Sequence, residues 1–183
     1  MKRAVRTSLN KGGFSLVEVT VAIGIFAFVA IGILGLLPAA LKLRNDSAQE
    51  TRAVMIAEEL FACVRAAPSL EQVVVRDGPA GEERNNQSID LTSEDVVIGY
   101  PTQTTVPYGL WGSSRAEGSG IWSSGQLPGW AVDNGIQTLA RLSASPFAGL
   151  PGLYEVVCEV RTPASLPLAN SKPSVFTTYA YAP

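Results

Sequence analysis

Lys11-Gly12-Gly13-Phe14-Ser15-Leu16-Val17-Glu18-Val19, followed by an apolar run that ends at Leu41, decides how the rest of the chain is read. From Val19 to Leu41 there is no Asp, Glu, Lys or Arg. As a helix rising about 1.5 Å per residue, this run covers roughly 35 Å, more than a hydrocarbon core of about 30 Å. A cleavable secretory signal has a shorter apolar stretch, about 7 to 15 residues, that closes on a small-x-small site. Pro38-Ala39-Ala40 is a poor site of that kind. A core helix apolar on every side over this length is uncommon in a chain of 183 residues. Residues 19–41 are therefore expected to cross a bilayer.

The flanks set the direction. Lys2, Arg3, Arg6 and Lys11 precede the span without an acidic residue among them, whereas Lys42 and Arg44 follow it with Asp46 close behind. The positive-inside bias places the N-terminus in the cytoplasm and everything after about residue 42 on the far side. Glu18 is the only acidic residue between Met1 and Leu41. A carboxylate deep in such a span costs roughly 2.5 to 3.5 kcal/mol on insertion scales, so it is protonated, paired, or snorkels to the interface. An intramembrane ionisable group is first read as functional.

These residues resemble the type IV prepilin-like proteins, the family of type IV pilins and of the pseudopilins of type II secretion systems. The resemblance rests on the short basic leader 1–13, Gly13 before a cut, Phe14 as the first mature residue, Glu18 as the fifth, and the apolar helix behind them. Phe14 to Thr20, with Leu36-Leu37-Pro38, is also similar to the prepilin-like Verru/Chthon cassette B proteins. The resemblance covers roughly residues 8–65. It implies a prepilin peptidase and methyltransferase that cuts between Gly13 and Phe14 and methylates the new amino terminus. It further implies assembly with other pilin or pseudopilin subunits through an assembly-platform membrane protein. Glu18 would pair with the freed amine of Phe14 on a neighbouring subunit. The family commonly has its helix-breaking proline nearer the cut than Pro38, which is a departure here.

Beyond Leu41, Ala53, Ile56, Ala57, Leu60, Cys63, Val64 and Ala67 recur at three- and four-residue spacing. This predicts an amphipathic continuation, so one helix over 14–67, ending near Pro68 and about 80 Å long, the stem of a pilin subunit. Pro38 is expected to interrupt it, and Gly24, Gly32 and Gly35 to weaken it. The remaining residues, 68–183, read as an extracytoplasmic β-rich domain. Its strands are Gln72–Arg76, Asp95–Tyr100, Leu153–Arg161 and Val175–Tyr181, the third with Tyr154, Val156, Cys158 and Val160 on one face. Residues 100–152 read as a Gly/Ser/Pro-rich loop region. The fold class is α+β, with a small antiparallel sheet on the C-terminal half of the helix. A strand laid on the stem would bring Cys63 to Cys158, the candidate disulfide.

Composition limits the chemistry. The formal charge is −2 with no basic face, so no nucleic-acid partner is expected. There is no histidine, which removes Ser-His-Asp and Cys-His catalysis and every His-containing zinc site. The adjacent acids Glu58-Glu59, Glu82-Glu83 and Glu94-Asp95 read as solvated faces. No enzyme activity, cofactor or metal site is expected. Asp77, Glu82, Asp90 and Asp95 are the carboxylates calcium would use, at spacings that match no EF-hand. The expected function is that of a minor pilin or pseudopilin, single-pass in the inner membrane with its C-terminal domain periplasmic or extracellular. The alternative is an adhesive or ligand-binding module on the same anchor, with Trp111, Trp122 and Trp130 as its candidate aromatic platform.

Overall fold

The computed structural model describes residues 13, 15–77, 85–102, 105, 107–112 and 116–182. The chain divides into two units, residues 1–46 and 47–183. Helix α1 (Leu16–Ala66) supplies the described structure of the first and opens the second.

In the first unit α1 runs through Pro38 without a break, which corrects the expected interruption. A helical proline removes one backbone donor, and the hydrogen bonds on either side of it hold the turn. The apolar side chains of this segment stay exposed: Phe26, Phe28, Ile31 and Leu36 are each at least 70% accessible. The apolar window of α1 has a mean hydropathy of 2.6 and none of it is buried.

In the second unit α1 becomes amphipathic. Ala53, Ile56, Ala57, Leu60, Phe61 and Val64 are its buried residues, repeating at three and four so that one stripe faces the core. Burying Ile56 and Leu60 contributes about 1.5 to 3 kcal/mol each. Strand β1 (Val73–Asp77) pairs antiparallel with β2 (Asn85–Ile89). The main sheet contains β3 (Val96–Pro101), β4 (Leu110–Gly112), β5 (Ile136–Pro146), β6 (Leu153–Arg161) and β7 (Ser174–Tyr181) in the order β4-β3-β5-β6-β7, all neighbours antiparallel. The register aligns Val96, Leu142, Cys158 and Phe176 across four strands. That row belongs to the core cluster that contains the α1 stripe.

The segment 100–152 is more structured than its composition suggests. It holds β4, β5, and two helices, α2 (Ala116–Ser124) and α3 (Gly129–Asp133). Leu127-Pro128-Gly129, which reads as a loop signal, is the start of α3, with Pro128 at its N-cap. Central strand β5 pairs with both β3 and β6. Its inward residues are Ala140 and Leu142. Val97 and Leu139 lie on the opposite face in a second cluster with Ile121, Trp122, Ala131, Ile136 and Ala164. Helices α2 and α3 thus cover that face over β3 and β5. Within this layer Arg161 is fully buried, its Nη2 donating to Ile121 O (3.2 Å) and Ala164 O (3.3 Å) and its guanidinium lying 4.9 Å from the Trp122 ring. The cation therefore clamps the end of α2 to the chain after β6, and its burial lowers its pKa.

Gly125 directly succeeds α2 with φ +72°, and a Cβ there would lie 2.7 Å from Leu166 C and O. Neither the left-handed backbone nor the clash is relieved by a rotamer change. Gly125→Ala should therefore destabilise this unit by about 2 to 4 kcal/mol, read as a lowered unfolding midpoint of the detergent-solubilised protein. An unchanged midpoint would show that residues 165–166 do not press on this turn.

Candidate functional site

The first turn of α1 is set by its own side chains. Ser15 O accepts the Val19 N–H at 3.1 Å, the first helical bond, and Ser15 Oγ accepts the Val17 N–H at 3.3 Å. Ser15 is thus the N-cap and Glu18 the third helical residue, the S-x-x-E pattern of a capping box. Glu18 lies in the first turn, where the helix dipole favours a negative charge. Ser15 is the residue that the reading of this motif missed; its spacing to Glu18 was the available signal.

Gly13 is exposed, and a Cβ built on it meets nothing within 4 Å. No described residue demands glycine there. Phe14 and the leader residues 1–12 lie outside the described residues. Gly24, Gly32 and Gly35 likewise have open space where a side chain would be.

The other candidate groups are dispersed. The structure draws no bond between Cys63 and Cys158, the candidate disulfide pair. They do belong together: Cys158 is in the main core cluster and Cys63 packs against it. The fully buried Tyr100 hydroxyl is within electrostatic reach of both sulfurs. Burial pushes the Cys158 thiol up to about 12. Cys63 is half-buried and lines an apolar groove of about 470 Å³ with Ala62, Ala66, Pro68 and Val74.

Trp122 is 4% exposed and Trp130 44% exposed, so these two do not form a shared open platform. The Trp111 side chain lies outside the described residues. Of the acids, Glu58 meets Arg65 at 3.6 Å, while Asp95 pairs with Arg141, which also reaches Glu159 at 3.5 Å. Asp90 is held below the usual carboxylate range by hydrogen bonds from Thr92 and Ser93. Glu82, Glu83 and the Asp77 side chain lie outside the described residues. Among the described residues no group of three His, Cys, Asp or Glu side chains is placed to hold a metal.

Alkaline pH should weaken the fold through the Cys158 thiol. Its folded pKa of about 12 exceeds its ordinary 9.0, so the neutral thiol stabilises the fold below pH 9, and this is lost as pH rises towards 12. Across that interval the loss is on the order of 4 kcal/mol. Tyr100, raised in the same direction by burial, adds to it. Unfolding curves of the solubilised protein at stepped pH should show this decline, and Cys158→Ala should flatten it. Parallel curves for the variant and the native chain would contradict the assignment to Cys158.

A family model, the prokaryotic N-terminal methylation motif, matches residues 8–34. The chain carries a prepilin-type N-terminal signal. The match contains Gly13, Phe14, Ser15 and Glu18 and runs well into the exposed apolar part of α1. A prepilin-type signal implies processing by a prepilin peptidase and assembly with other pilin subunits, and the motif is a structural one, not that of an enzyme family. Together with α1 it fits a membrane-anchored single-pass protein. The α+β order, a long N-terminal helix followed by antiparallel sheets, is pilin-like. Neither a curated protein nor a solved structure matches the chain.

Proposed function

We propose that this chain is a structural subunit, a minor pilin or pseudopilin, of a type IV pilus-like or type II secretion-like filament. The observation that carries this reading is the prepilin-type motif at 8–34 leading into a helix whose apolar window is wholly unburied in the single chain. That surface needs lipid before assembly and neighbouring helices after it. Gly24, Gly32 and Gly35, open on the helix surface, would let such neighbours approach closely. The basic leader stays cytoplasmic, the peptidase cuts between Gly13 and Phe14, and residues after about 42 face the periplasm or the exterior. The assembly platform then lifts the subunit from the inner membrane into the filament. No reaction is assigned to the chain and no cofactor is required.

Filaments sheared from cells, or pulled down from a periplasmic fraction, should contain the chain in the cleaved form. A chain confined to the inner membrane while other subunits assemble would overturn the reading. The second reading, an adhesive or ligand-binding module, draws on a different observation: Phe147, Tyr179 and Tyr181 are all exposed, with the Phe147 and Tyr179 rings edge to face at 5.4 Å.

A further inference from the structure

The apolar span of α1 is bracketed by two charge patterns of the same form. Lys42 and Asp46 follow it, a cation with an anion four residues later, both exposed on the helix. Neither makes an ion pair with a described residue. A cation placed N-terminal to its anion is the less favourable order for pairing within one helix. Cleavage before Phe14 would create the same pattern at the other end, an amine at 14 and the Glu18 carboxylate four residues on. From 14 to 42, and from 18 to 46, is four heptads. Heptad positions stay on one seam along two helices that wind round each other in the left-handed sense. Between the charges, the first series of positions holds Val21, Phe28 and Gly35, and the second Ile25, Gly32 and Ala39. Val21, Ile25 and Phe28 are 55%, 61% and 81% exposed, and Gly32 and Gly35 have open space where a Cβ would be.

We infer that α1 packs parallel against α1 of a second copy with an axial offset of four residues, about 6 Å, so that Asp46 of one copy pairs with Lys42 of the next. The inference rests on the filament reading and on the pairing of Glu18 with a neighbour's Phe14 amine, and it adds a second latch beyond the span. One offset serves both ends, because in each pattern the anion stands four residues after the cation. The same offset sets Ile25 level with Val21, Gly32 with Phe28 and Ala39 with Gly35 of the neighbour. Glycine thus receives a phenyl ring, and at Ala39 and Gly35 the two backbones can approach closely. With no offset Lys42 would face Lys42 and Asp46 would face Asp46, like charges that oppose docking. An offset of a whole heptad would keep the seam but set Asp46 against Ala39. The chain carries both halves of each charge pair, so the partner that fits it is another copy. Two different faces meet, which makes the contact head-to-tail, and it keeps the helices parallel, as copies anchored in one membrane require.

The test uses the full-length protein expressed with its own peptidase and assembly machinery, and reads sheared filaments on non-reducing gels after mild oxidation. Lys42→Cys and Asp46→Cys expressed together should give a disulfide-linked dimer, since facing positions bring their Cα atoms within the roughly 7 Å a disulfide can bridge. Either variant alone should give no more dimer than the native chain, which keeps Cys63 and Cys158. Reversing one charge, by Lys42→Glu or Asp46→Lys, should lower incorporation about three- to tenfold. Both reversals in one chain should restore it, because every copy then carries the pair with its signs exchanged. A native chain missing from the filaments would overturn the filament reading, and the offset with it. If the native chain is in the filaments, the offset alone is overturned by any of four results: no mixed cross-link, equal cross-linking by one variant, no rescue by the double reversal, or Asp46→Cys joined to a different subunit.

Discussion

Glu18→Ala is expected to leave the chain folded, inserted and cleavable, yet to reduce its share in filaments by on the order of ten- to a hundredfold. The magnitude follows from the environment. An unpaired carboxylate at helix depth costs roughly 2.5 to 3.5 kcal/mol, and each 1.4 kcal/mol is about tenfold in a partition equilibrium. Pairing with the Phe14 amine of an adjacent subunit would recover that cost only in the assembled state, so docking is favoured over remaining alone in lipid. The structure adds a control. Glu18 is the third helical residue after the Ser15 cap, so alanine there also weakens the helix start. Glutamine at that position keeps the capping capacity without the charge. Glu18→Gln should therefore assemble as poorly as Glu18→Ala, and Glu18→Asp should be intermediate. Comparing sheared-filament with membrane fractions reads all three; normal incorporation of the glutamine variant would reduce Glu18 to a helix cap.

Gly13→Leu should block leader removal almost completely. Folding and cleavage make separate demands on this position. Among the described residues nothing lies within 4 Å of a Cβ at Gly13, so a loss of cleavage is assigned to the enzyme that must bring its catalytic groups to this peptide bond. A retained leader also leaves Phe14 without a free amine, so the variant should fail to assemble for the same electrostatic reason as the Glu18 variants. Immunoblots of membranes should show a single, larger species. Efficient cutting of Gly13→Leu at the native bond would mean that the site does not depend on a residue without a side chain.

The elements legible in the sequence are those whose pattern is enforced by a single strong environment. Lipid requires unbroken apolarity from Val19 to Leu41, and packing on one side only gives Ala53, Ile56, Ala57, Leu60 and Val64 their helical spacing. Leu153–Arg161 alternates because one face meets α1, and β6 has those bounds. Where two environments overlap, the pattern blurs. Strand β5 has Ala140 and Leu142 against one cluster and Leu139 against the other, so all three are buried and no alternation survives. Helices α2 and α3 are short and begin among glycine, serine and proline, which composition alone assigns to loops. Arg161 was legible only as the end of a strand, because a buried guanidinium held by two carbonyls and an indole leaves no spacing in the sequence. At the candidate site Gly13, Phe14 and Glu18 stand out through charge and length, while a serine beside an apolar run, such as Ser15, attracts no notice until its distance to Glu18 is counted. For the cysteines, the common neighbourhood is legible, because the helical stripe and the alternation of β6 turn both towards one core.

The filament reading depends most on where the mature chain begins. Intact-mass and N-terminal peptide mass spectrometry of the protein purified from cells with their own prepilin peptidase should find a chain starting at Phe14 with a methylated amine and Glu18 in place. A chain starting at Met1, or one cut downstream of Leu41 by a secretory signal peptidase, would contradict it.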